Sequence, residues 1–149
     1  MKRYWNKATA LLLTLALIAA ALAIPAAAVD SRSSLYLSAY RAWLTPESGA
    51  KIDVTIDVQA VDDMDYLGAT KVKIYESSDG GVTWTRVRTY LSALEEGMLV
   101  ENDIIYYDTP ISHQGTAGYK YYAVITIYAE DSTGSDSREY QTTTVTAIR

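Results

Sequence analysis

The chain contains no cysteine and no phenylalanine, and a single histidine, in 149 residues. Without cysteine there is no disulfide framework, no thiol nucleophile, no zinc–thiolate site and no redox motif. Without phenylalanine, 13 tyrosines supply most of the large aromatic surface, and their hydroxyls suit half-buried positions. No basic cluster occurs either. Thirteen Lys and Arg stand against 18 Asp and Glu, for a net charge of −5. That balance repels nucleic acid and anionic membrane and argues against both as partners.

The basic residues are unevenly placed. Lys2, Arg3 and Lys7 precede an uncharged, Ala- and Leu-rich run from Ala8 to Ile24; Pro25 and Ala26-Ala27-Ala28 follow. A basic start, an apolar middle and an Ala-x-Ala end form the pattern of a secretory signal peptide, cleaved between Ala28 and Val29. The rival is a retained anchor, but a spanning helix needs about 20 apolar residues, and Ala8–Ile24 is shorter. No cysteine follows the run, which excludes a lipoprotein anchor. Residues 29–149 then form one domain, secreted or surface-associated. Losing three basic residues takes the net charge from −5 to −8.

That domain alternates apolar and polar residues in period two. In KIDVTIDVQAV, Ile52, Val54, Ile56, Val58 and Ala60 fall on one side and Lys51, Asp53, Thr55, Asp57 and Gln59 on the other. Such alternation predicts a strand with one buried face. Further strands are predicted over Ser34–Leu44, Thr70–Ser77, Val82–Leu91, Asp103–Pro110, Gly118–Asp131 and Arg138–Ile148. DDMDYLG reads as an acidic turn, HQGTAG as a loop, STGSDS as a turn, and SALEEGMLVEND as a loop or one helical turn. About seven strands and no convincing helix predict an antiparallel β-sandwich, preceded by the helical signal peptide.

The most motif-like stretch is SSDGGVTW. Ser77, Asp79, Gly81, Thr83 and Trp84 match the Asp-box pattern S-x-D-x-G-x-T-W, which recurs in sialidases and other secreted glycan-handling proteins. Those proteins repeat it once per propeller blade. A propeller needs at least four blades of about 40–45 residues, and this chain has one copy. The motif therefore predicts a hairpin turn. Gly80 and Gly81 supply positive φ, Asp79 accepts backbone hydrogen bonds, and Trp84 returns over the turn or the core.

The hairpin around Val72–Val87 and the stretch YYAVITIYAEDSTGSDS resemble the central hairpin and penultimate strand of fibronectin-type-III and immunoglobulin-like domains. The likeness spans roughly Lys51 to Ile148 and implies a sandwich, not an activity. The corner tyrosine of such domains would lie six residues before Ala129. That position is Ala123, with Tyr121 and Tyr119 further back. MDYLGATKVKIYESSDGGVTW and GTAGYKYYAVITIYA are also similar to small secreted proteins of Gram-positive bacteria, a likeness that implies location and fold alone.

Chemistry is sparse. His113 lies beside Ser112 and near Asp108, but no G-x-S-x-G elbow is present. Glu95 and Glu96 are adjacent, whereas glycosidase carboxyls face each other across about 5–10 Å. Asp62, Asp63 and Asp65 are weak metal candidates, because Leu67 and Ile74 break the calcium-loop pattern. No cofactor and no catalytic residue are expected. Tyr106, Tyr107, Tyr122, Tyr128 and Tyr140 are too many for one core face. Trp84, Tyr122 and Tyr128 are the candidates for stacking on a ligand, and the expected partner is a glycan, the cell wall or another surface protein. The alternatives are a self-assembling protein that pairs the Thr-rich strand QTTTVTAI at an edge, and a small hydrolase.

Overall fold

A computed structural model of the protein describes residues 34–149. The predicted signal peptide (1–28) and the Ala28–Val29 cleavage point lie outside those residues. The described chain is all-β, apart from a single 3-10 turn at Ser48–Ala50. Seven antiparallel strands form, as expected: β1 (Leu37–Glu47), β2 (Lys51–Ser77), β3 (Thr85–Leu91), β4 (Leu99–Gln114), β5 (Lys120–Asp131), β6 (Gly134–Gln141) and β7 (Val145–Thr146).

Strand β2 organises the rest. Its first half pairs with β1 and with β4. Its second half pairs with β3 and β5, and β5 carries β6 and β7. One buried cluster takes Ile52, Val54 and Ile56 from the first half, and Val72, Ile74, Ile125 and Ile127 from the second set. Tyr40 of β1 packs edge-on against Tyr140 of β6, with ring centroids 6.2 Å apart. The two sets of strands thus share a single core.

The acidic segment DDMDYLG is not a turn. It lies inside β2, which runs unbroken for 27 residues. Inward residues are even from Ile52 to Ala60 and at Met64, odd at Leu67 and Ala69, and even again at Val72 and Ile74. Register irregularities lie between Gln59 and Met64 against β4, and between Ala69 and Lys71 against β5. The slip between Ala69 and Lys71 carries the inward phase from odd to even, so no single period holds although the strand does not end. Gly68 is required there. Its φ is +142°, and a Cβ would strike the Met98 carbonyl oxygen, which accepts a 2.8 Å bond from the Ala69 amide.

Pro110 does not end a strand either. Val54 pairs with Ile111 and Ile56 with Asp108, so Thr109 and Pro110 together oppose Thr55. Proline is tolerated at such a bulge, above all on a strand paired along one edge only. β4 therefore continues to Gln114 and takes in His113, in place of the loop that HQGTAG predicts. The strand expected from Val82 begins instead at Thr85, and STGSDS turns only at its start, since β6 opens at Gly134. The final predicted strand is broken in two. The buried Thr142 hydroxyl accepts from the Ala123 amide at 3.0 Å, while the Thr142 amide donates to the Ala123 carbonyl. A side chain thus takes a ladder position, and β7 returns to pair with Tyr121.

Candidate binding site

The Asp-box turn closes on Asp79. Its carboxylate accepts from the Val82 amide at 3.0 Å, the Thr83 amide at 2.9 Å, the Thr83 hydroxyl at 2.6 Å and the Ser77 hydroxyl at 2.7 Å. The Gly81 amide donates to Ser77 Oγ at 2.8 Å. Gly80 and Gly81 have φ of +79° and +100°. The Thr83 hydroxyl and amide, then Ser77, hold the Asp79 carboxyl far below the usual carboxylate range, because these donors favour the charged form.

This turn delivers Trp84 onto the outer face of the second half of β2. The Trp84 ring meets Tyr122 edge-on at 4.7 Å, and Tyr122 stacks on Tyr75 at 4.8 Å, 6° from parallel. Tyr75 and Tyr122 are cross-strand partners. Two of the three predicted stacking residues therefore meet, joined by Tyr75, which sequence reasoning missed. Tyr128 stands apart, six residues along β5, or about 20 Å, with its hydroxyl on Glu130. The three rings of this cluster spend their faces and edges largely on one another.

A second aromatic surface lies on the outer face of β1, β2 and β4. Three cross-strand rows define it: Ala39–Gln59–Ile105, Arg41–Asp57–Tyr107, and Trp43–Thr55 with the Thr109 bulge. Tyr107 is 64% exposed and Ile105 51%. Trp43 and Tyr107 lie 6.2 Å apart, inclined at 46°. The Arg41 guanidinium sits 5.4 Å over the Trp43 ring and bonds Asp57 Oδ2 through Nη2 at 2.7 Å and Nε at 2.8 Å. Thr55 and Thr109 hydroxyls are 2.9 Å apart. Because Ala39 leaves space beside Arg41, a hollow of about 310 Å³ opens, lined by Ala39, Tyr40, Arg41, Asp57 and Gln59. Another of about 290 Å³ touches Ile105 and Tyr107 from the β4 side. The alternation Ala39, Arg41, Trp43 in SAYRAWL was the available signal for this surface.

The remaining candidates disperse. Tyr106 is a core residue, 4% exposed, donating to the Gly97 carbonyl at 2.6 Å. Ser112 donates to Asp53 at 2.6 Å, whereas its neighbour His113 turns inward to the Tyr90 hydroxyl, 3.0 Å from Nδ1. Burial lowers the His113 pKa; Glu76 opposes this and Arg88 adds to it. The Tyr121 hydroxyl donates to Glu76 and accepts from the Thr116 amide at 2.8 Å. Asp62, Asp63 and Asp65 occupy the irregular part of β2. Among the described residues no three His, Asp or Glu side chains converge as metal ligands. Glu95 and Glu96 lie in the turn between β3 and β4. No family model, no curated protein and no solved structure matches the chain.

Proposed function

We propose that the chain is an exported, non-catalytic binding module, built as a fibronectin-type-III-like sandwich and working at the cell surface or in the medium. The basic, apolar, Ala-x-Ala start supports export. The division of strands into two sets around one core supports the sandwich. So does Tyr121, at the start of β5, whose hydroxyl bonds the backbone five residues upstream, as a corner tyrosine does. The observation that carries the binding reading is Tyr107, 64% exposed beside Trp43 on a registered three-strand face. A large ring held open on a rigid sheet marks a surface for contact.

The test is a glycan array and a cell-wall pulldown with the wild-type protein and Tyr107→Ala. Wild-type binding that the variant loses supports the module. Blank results in both assays sink it. Self-assembly through strand edges is the weaker reading. β6 carries Asp136, Arg138 and Glu139, and β3 carries Arg86 and Arg88; charges of this kind blunt edge pairing.

A further inference from the structure

Resting on the binding-module reading, we propose that the outer face of β1, β2 and β4 binds an uncharged carbohydrate chain. A sugar ring lies on Tyr107, against the inclined wall of Trp43, and its hydroxyls reach Arg41, Asp57 and Gln59.

The face selects this ligand class by its charges. Arg41 and Asp57 neutralise each other across the β1–β2 pair. An anionic ligand would meet the like charge of Asp57 beside Arg41, and a cationic one the like charge of Arg41 beside Asp57. Both Arg41 contacts fall on Asp57 Oδ2, which leaves Asp57 Oδ1 and Arg41 Nη1 without a partner among the described residues. One donor and one acceptor of the pair thus remain free. Sugar hydroxyls, which both donate and accept, can satisfy each of them. An apolar protein surface would desolvate the ion pair and offer it nothing in return.

Shape agrees with charge. The hollow beside Arg41, about 310 Å³, falls at the low end of the ~300–1,000 Å³ typical of small-ligand sites. It adjoins an open strip from Ala39 to Trp43, about 13 Å long at strand spacing, so a chain can extend along the sheet. The ion pair also holds Arg41 over Trp43, which fixes the polar groups before a ligand arrives. By contrast, the rings of the Tyr75–Tyr122–Trp84 cluster already pack on one another, with centroids 4.7 and 4.8 Å apart.

Calorimetric titration tests the proposal, using uncharged polysaccharides (a β-glucan, an α-glucan, a mannan and a xylan), the polyanion polygalacturonate and a solubilised cell-surface protein fraction. At least one uncharged polysaccharide should bind. Tyr107→Ala should weaken it at least 10-fold, Asp57→Asn several-fold and Tyr107→Phe less than threefold, while Trp84→Ala leaves it unchanged. The melting temperature of Tyr107→Ala should match wild type, separating lost contact from lost fold. Binding confined to the polyanion or the protein fraction overturns the inference of an uncharged carbohydrate but leaves a binding module. Sugar binding that survives Tyr107→Ala overturns the site. Silence in every arm overturns both readings.

Discussion

The same strand, β2, supports two aromatic surfaces with opposite fates. Along its second half, Tyr75 and Tyr122 are roofed by Trp84, which the Asp79 turn folds back onto them. Along its first half, Tyr107 lies open beside a half-buried Trp43, over which Arg41 sits. Composition does not separate the two, since each has one tryptophan and at least one tyrosine. The difference is a local turn. Where the chain spends hydrogen bonds to bring a ring home, the aromatic face becomes structure. Where no turn does so, it stays available to a ligand.

The largest effect should come from Gly68, where the two halves join. Gly68→Ala places a Cβ against the Met98 carbonyl at a positive φ and should cost about 3–4 kcal/mol. Urea unfolding followed by fluorescence checks this. Only Trp43 and Trp84 follow Val29, so single-tryptophan variants report each half. Both reporters should shift together, because one core serves both. If only one moved, the halves would be independent units and the comparison would compare two proteins.

Trp84→Ala and Tyr107→Ala form the next test as a pair. Trp84 is half-buried and packed on Tyr122, so its loss should cost about 2 kcal/mol. Tyr107 is largely exposed, and its loss should cost under about 0.5 kcal/mol. Chemical denaturation of both variants gives the answer. Equal costs would show that the open surface is as structural as the closed one.

Much of this contrast was hidden in the sequence for one reason, that facing depends on long-range register. Ile52 to Ala60 was legible because one phase holds for the whole stretch. Tyr106 and Tyr107 are neighbours of the same type, yet one is buried and the other open. Only pairing with Val58 and Asp57 decides which, and the bulge at Thr109–Pro110 shifts the count beyond them. That bulge also turned His113 inward. The Asp-box turn was legible because its bonds span at most four residues. Its target was not, because Tyr75 meets Tyr122 only through the β2–β5 register.

His113 offers a smaller, pH-linked test of how β4 meets β3. Its pKa is lowered in the folded protein, chiefly by burial. The unfolded chain therefore binds the proton more readily. Stability from this group is complete above the ordinary value near 6.5 and is lost as pH falls through and below it. Thermal melts between pH 7.5 and 5 should show a decline that His113→Gln flattens. An unchanged slope in the variant would remove His113 from the account.

The smallest effect belongs to Asp79, and it tests the cause assigned to the closed face. The Asp79 carboxyl is held low by Thr83 and Ser77, so its contribution is present above the ordinary value of about 3.8 and disappears on acidification below it. Asp79→Asn keeps one acceptor oxygen and loses the charge. Its destabilisation at pH 7 should be smaller than that of Trp84→Ala, and the variant's stability should fall less below pH 4. The decisive readout is spectroscopic. If the turn is what carries Trp84 onto Tyr122, the Trp84 emission of Asp79→Asn should shift to the red, toward that of an exposed ring, while Trp43 emission stays fixed. A Trp84 spectrum identical to wild type would mean that stacking on Tyr122 alone holds the ring, and that the closed face owes nothing to its turn.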